Sequence, residues 1–370
     1  MEEYIGAALV PLIADYPAIR KALGVKISPR ADLHFCIFCD IPRTQMHEWL
    51  DTDPKDYPRR NDSEHRRMAF EWRDAPNPTA QENVFKRNGI RYTELLRLPY
   101  WDPTRFIVVD PMHNLFLGLI QSHFRGFLGI KAGDGETRAD RQHGPQSPDD
   151  DDEPAHNGGV STRAARPSPT PRNPPHTSIP GVTPVNGNRR SRKMPPMLGP
   201  SDISEIQHDI KHLVTPTWVT ALPHNFGTAK AGTLKADVWK SALHLYLPFT
   251  MIRLWGNLPQ TDRRKMILDN TMTLLQAVYY ASANTMTEAK AKMYTESMLL
   301  YLKGLCELFP DKNLLPNHHM ALHIEECLMR FGPIRGWWAF PIERLIGAFQ
   351  HINTNWKFGE PFIRHNMNGE

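Results

Sequence analysis

Four cysteines among 370 residues are too few for a disulfide scaffold, and two of them, spaced C-x-x-C, favour metal or redox chemistry inside a cell. Charge of one sign is also missing. Forty-four basic residues stand against 40 acidic ones for a net charge of +4, so composition alone does not announce a nucleic-acid binder. The start, MEEYIGAALVPLIADYP, lacks the basic opening of a signal peptide, and its apolar run is too short to span a bilayer. The composition therefore reads as a soluble intracellular protein, with chain enough for about two domains.

What is present is concentrated in a few stretches. Tyr4 to Ala14 is mostly apolar and ends at Asp15, followed by Tyr16-Pro17-Ala18. This predicts a buried strand leading into a proline-started helix. Asp15 then has two readings: a helix cap, or a carboxylate at a rigid strand end opening onto a cleft. Cys36-Ile37-Phe38-Cys39 follows. From Glu48 to Arg91, Arg59, Arg60, Arg66, Arg67, Arg73, Lys86 and Arg87 alternate with Trp49, Tyr57, Phe70 and Trp72. That pattern could suit DNA phosphates and bases, but it reads first as a solvated helix face over its own aromatic core. Phe106 to Val109 reads as a short strand. Asp110 and His113 come next, three apart at a helix start, where they can bond to each other, cap the helix or approach a metal.

Between Asp134 and Pro200 the composition changes. This stretch holds many of the chain's 33 prolines and few bulky apolar residues, which predicts a disordered insertion. Its basic cluster, Arg189, Arg190, Arg192 and Lys193, fits a nuclear localisation signal, a DNA contact or a merely solvated run. Beyond it the pattern is helical. Ser201, Thr261 and Thr287 stand where helix caps belong, and Trp239, Leu243 and Leu247 fall at core positions. A helix from about Pro316 to Arg330 carries His319, His323 and Cys327 at i, i+4 and i+8. Met320 stands where a zinc protease would need glutamate, which rejects that reading. Joined to Cys36 and Cys39, His319 and His323 complete a Cys₂His₂ set for structural Zn²⁺, with His318 and Cys327 as alternative ligands. Glu343 follows the Phe331-Gly332-Pro333 break.

Taken in order, Asp15-Tyr16-Pro17-Ala18, Cys36-x-x-Cys39, Asp110-x-x-His113, His319-x-x-x-His323 and Phe340-Pro341-Ile342-Glu343-Arg344 resemble the catalytic region of CACTA (En/Spm-type) cut-and-paste transposases. The copies found in mushroom-forming fungi are especially similar. LRLPYWDPTRFIVVDPMHNLFLGL and LPNHHMALHIEECLMRFGPIRGWWAFPIERLIGAF carry most of the likeness. The resemblance implies an α/β, RNase H-like core over residues 1–133, interrupted by the 134–200 insertion and a helical insertion over 201–310. Residues 311–370 would return to the core with the third catalytic carboxylate. It also implies an Asp-Asp-Glu triad holding two Mg²⁺ ions for in-line attack on a DNA phosphodiester, with Asp15 second and Glu343 third. Cys36, Cys39, His319 and His323 match the family's zinc clamp, and Asp110 and His113 match a motif whose role the resemblance does not specify.

The family's first aspartate lies well upstream of the second, yet only fourteen residues precede Asp15. The expectation is a truncated transposase, inactive by itself. Implied partners are DNA at transposon ends and, for strand transfer, a second copy in a homodimer, in the nucleus and not at a membrane. Two other readings stay open: a non-enzymatic, zinc-stabilised nuclear protein that binds DNA or protein, and a redox protein using Cys36 and Cys39.

Overall fold

The computed structural model describes residues 11–26, 35–130 and 197–350. Most of the predicted strand before Asp15, nearly all of the proline-rich stretch, and the Arg189, Arg190, Arg192 and Lys193 cluster lie outside these residues. The chain divides into one unit of Met1–Pro145 with Pro196–Glu370 and another of Gln146–Pro195. Only the first contains described residues.

That unit is mostly helical. Helix α1 (Tyr16–Ala22) carries Pro17 in its first turn, where proline's missing N–H costs nothing. Helices α2 (Asp62–Arg73) and α3 (Pro78–Asn88) follow, capped by Asn61 and Asn77, whose side chains accept from the N–H groups of Glu64 and Ala80. Gly89 ends α3 at φ 68°, a left-handed turn that glycine adopts without steric cost. Helix α4 runs through Met112–Ile120 and Ser122–Phe127 with the wide π winding. Such winding is rare and often sits at functional sites.

The second half contributes α5 (Pro200–His212), α6 (Ala236–Ser241) running on into α7 (Leu247–Trp255), and the long hairpin of α8 (Arg263–Ala281) and α9 (Glu288–Leu308). Then come α10 (Pro316–Ala321), α11 (Ile324–Phe331) and α12 (Phe340–Gln350). Trp239, Leu243 and Leu247 are fully buried, as their spacing predicts. Among the described residues, no helix is long and apolar enough to cross a membrane.

Extended structure is sparse. Among the described residues there are three isolated bridges: Leu12 parallel to Ile107, Val25 antiparallel to Ile90, and Cys39 antiparallel to Arg59. The predicted strand at Phe106–Val109 is thus a single pairing, in which the Leu12 N–H donates to the Phe106 carbonyl at 2.8 Å. Two caps also move by a residue or two. Pro200 is favourable at the first helical position, so α5 starts from Gly199 rather than Ser201, and Asp202 accepts the Gly199 N–H at 2.9 Å. Asp262 caps α8 in place of Thr261, because its carboxylate accepts from the Arg264 N–H. Thr287 caps α9 as predicted. At the far end of the proline-rich stretch, Leu198 is already in the core and its N–H donates to the Leu128 carbonyl at 3.1 Å.

The basic residues between Glu48 and Arg91 are engaged by carboxylates, most of them near in sequence and Arg59 by one far along the chain. Arg59 pairs with Glu326, Arg60 with Asp40, Arg66 with Asp62, Arg67 with Glu64, Arg73 with Asp74, Lys86 with Glu82 and Arg87 with Glu71. These pairings fit the solvated-face reading of the stretch.

Candidate metal centre and carboxylate cleft

Cys36 and Cys39 sit on a short loop held in place by the stretch that follows it. The Asp40 N–H donates to the Pro58 carbonyl, the Arg60 N–H to the Phe38 carbonyl, and the Arg60 side chain to the Cys36 carbonyl at 2.9 Å. His319 lies on α10. His323 lies at a break between α10 and α11, where its backbone is at φ −92°, ψ −1°, so the single helix predicted over Pro316–Arg330 is two. The break does not separate the imidazoles. His319 Nε2 and His323 Nε2 are 3.2 Å apart, Cys39 Sγ is 3.1 Å from His319 Nε2, and Cys36 Sγ is 3.4 Å from His323 Nε2.

All four ligand atoms fall within 4.8 Å of one another and all four residues are buried. Bonds of about 2.3 Å to sulfur and about 2.0–2.1 Å to nitrogen put tetrahedral edges at about 3.4–3.8 Å, within a few tenths of the three short spacings. The group can hold a metal ion such as zinc, and its two thiols and two imidazoles are the donor set of structural Zn²⁺ sites.

The surroundings orient the ligands. Glu326 Oε1 bonds to His323 Nδ1 at 3.0 Å and to Arg59 at 2.6 Å, the carboxylate–histidine support that fixes a ligand's tautomer. Phe38 stacks on His323 and Tyr57 on His319, while Phe35 meets His319 edge-on. The Phe38 N–H donates to Cys36 Sγ at 3.3 Å. Burial opposes the Cys36 thiolate, but the hydrogen bond with Cys39 and the His323 charge pull its pKa well below the ordinary thiol value. That same bond, with burial, pushes Cys39 up. Burial likewise opposes charge on His323, yet the Cys36 charge and Glu326 raise it to about 9.

Both alternative ligands face elsewhere. His318 accepts the Leu315 N–H at 2.8 Å through Nδ1 and so caps α10. Cys327 is buried away from the group, and burial raises its pKa to about 12.

The other motif residues meet a short distance away. Asp110 is buried and its carboxylate takes four bonds. It accepts from the Met112 N–H, from the His113 N–H, from His113 Nδ1 at 2.6 Å, and from the Ala339 N–H at 2.8 Å. The last contact brings the start of α12 against α4 and places Glu343 Oε1 4.0 Å from His113 Nε2. Asp15, Asp110 and His113 line one cleft of about 40 Å³, with Asn317 of α10 on its wall. Burial works against charge on His113, but the bond and charge of Asp110, then the charges of Asp15 and Glu343, outweigh it and raise its pKa.

Asp15 also performs the capping role, accepting the Ala18 N–H at 2.7 Å. Among the described residues, the Cys₂His₂ set is the one group of three or more potential ligands gathered tightly enough to share an ion. Asp15, Asp110 and Glu343 therefore surround His113 without converging on a common point.

Two links tie the centre to the cleft. Arg20 of α1 donates to the Phe35 carbonyl, next to Cys36, at 2.6 Å, and Tyr16 donates to the same carbonyl. On the opposite side, Asn114 of α4 donates to the Asn317 carbonyl at 3.0 Å, and a Cβ on Gly118 would lie 2.7 Å from the Asn317 side chain. Sequence reasoning missed Arg59, Glu326 and Arg20. Glu326, three residues beyond His323, is recognisable as a helix neighbour; the arginines carry no local signal.

Compared with protein-family models and with curated proteins, the chain matches none.

Proposed function

We propose that this chain is a transposase-derived protein of the CACTA type, with DNA strand cleavage and transfer as its ancestral chemistry. In this reading Asp15 and Glu343 are the second and third carboxylates of an RNase H-like site, and Zn²⁺ on Cys36, Cys39, His319 and His323 holds the frame around them. The observation that carries it is the gathering of Asp15, Asp110 and Glu343 about His113, from opposite ends of the sequence. The parallel pairing of Leu12 with Ile107, just before Asp15 and Asp110, also supports it. DNA at transposon ends, a second copy of the chain and a nuclear location go with this proposal.

Hard Mg²⁺ accepts one or two carboxylates and keeps several waters, so Asp15 and Glu343 suit it as partial ligands. Bound there, Mg²⁺ would supply Lewis-acid stabilisation of a phosphodiester's oxygens. The chain's own residues do the positioning. Asp110 fixes the His113 ring and the first turn of α12, which sets where Glu343 stands. Asp15 is held at the head of α1 by its own cap.

Fe²⁺ in place of Mg²⁺, with ascorbate and peroxide, tests this on the full chain. Backbone cutting is expected beside Asp15 and beside Glu343, with protection by excess Mg²⁺ and loss in Asp15→Asn/Glu343→Gln. Unselective cutting of folded protein would contradict the proposal.

One observation favours a second reading, a non-enzymatic, zinc-stabilised protein that binds DNA or protein: the carboxylates do not close on a shared ion position. Mg²⁺-independent DNA binding that survives Glu343→Gln, with no selective iron cutting, is the outcome that selects it.

A further inference from the structure

The cations between Glu48 and Arg91 all have carboxylate partners, but a second set does not. Lys240 at the end of α6 places Nζ 5.0 Å from the centre of the Trp338 ring and 5.9 Å from that of Phe340. Arg335 approaches the same Trp338 ring at 5.8 Å. Arg344, the residue after Glu343, is exposed and close enough for its charge to act on Lys240. None of Lys240, Arg335 and Arg344 has a carboxylate within 4.0 Å among the described residues, as every other ion pair engages different cations. Asp237, one turn back on α6, is the single acid whose charge reaches Lys240. His244 adds a further basic group, with its Nδ1–H donating to the Lys240 carbonyl at 2.8 Å. Burial first, then Arg335, lowers the Lys240 pKa, with Arg344 adding to it.

Concentrating unpaired positive charge costs free energy that a bound anion would offset. An indole set among those cations adds a π-face. Trp338 is half-buried and directly precedes Ala339, whose N–H is held by Asp110, so this platform adjoins the carboxylate cleft.

We propose that Lys240, Arg335 and Arg344 grip the phosphates of a single nucleic-acid strand while Trp338 stacks on one of its bases. The assignment rests on reading the neighbouring cleft as facing DNA, but its consequence for binding needs neither Asp15 nor Glu343. Phosphates recur along a strand, so the two cations beside the ring and a third near Lys240 can each meet one, and a base presents a flat face to indole. An acidic peptide offers the charge without that face.

Anisotropy of a fluorescein-labelled single-stranded oligodeoxynucleotide, titrated with the full chain over a salt series without Mg²⁺, tests this. Lys240→Ala/Arg335→Ala should weaken binding roughly tenfold at low salt and make the log K against log salt slope shallower by about 1.4, as two phosphates are no longer neutralised. Trp338→Phe should keep the slope and lose affinity severalfold, because the smaller ring stacks less. Lys292→Ala, on α9, should match wild type. Wild-type affinity and slope in the double variant would overturn the proposal. So would an equal loss for labelled polyglutamate, which would make the platform a site for acidic protein. If Fe²⁺ cutting beside Asp15 and Glu343 fails while these losses appear, the cleft reading falls and the platform stands.

Discussion

The Cys₂His₂ centre and the carboxylate cleft draw residues from the same two ends of the sequence, yet they differ in how far each is completed. At the centre the four ligand atoms lie within 4.8 Å of one another, all four residues are buried, and a glutamate and an arginine support one imidazole. In the cleft only Asp110 is fully committed, with four bonds, while Glu343 is half in solvent on α12. The contrast separates two tasks. A structural ion needs a closed, dry cage that holds without further partners, whereas a site for Mg²⁺ and a phosphodiester must leave positions for water and substrate. The surface of α12 extends the contrast: Ile342, Leu345, Ile346 and Phe349 are exposed along it.

Breaking the centre should have the largest effect. Cys39→Ser removes a thiolate from a buried cage, and because a structural metal contributes directly to folding free energy, melting should drop by on the order of 10 °C or more. Chelation of the wild-type protein should reproduce that drop, and a variant that melts as wild type does would show that the cage is not bound to metal. In the cleft, Asp110→Ala strands the N–H groups of Met112, His113 and Ala339 and should cost about 2–4 kcal/mol in a denaturant titration. Asp15→Ala loses one helix cap and should cost about 1 kcal/mol. A reversal of that order would mean that Asp110 does not join α4 to α12.

The ligand spacing made the centre legible before any fold was known. C-x-x-C and H-x-x-x-H each fix two donors locally, and few arrangements satisfy both pairs except a shared ion. Which histidine serves was not legible, because His318 and His319 differ only in which way α10 turns. The cap that occupies His318 is a backbone contact with no sequence signature. Asp110 was readable as a cap, but its bond to Ala339 was not, since long-range partners leave no spacing. Strands were the poorest part. Apolar runs such as Phe106–Val109 signal burial, but extended pairing also needs a neighbour in register, and the described residues supply one bridge there. Charge runs show less than they suggest, since the cations of the dense stretch from Glu48 to Arg91 all find carboxylates, some of them as distant as Glu325 and Glu326, while Lys240, Arg335 and Arg344, scattered in sequence, have none within 4.0 Å among the described residues.

Central to this reading of the molecule is that the Cys₂His₂ group holds zinc. Zinc K-edge X-ray absorption on the purified, folded full chain, with elemental analysis of the same sample, should find about one Zn per chain, bound by two sulfurs at about 2.3 Å and two nitrogens at about 2.0–2.1 Å. Folded protein that contains no zinc, or zinc in a shell without sulfur, would contradict it.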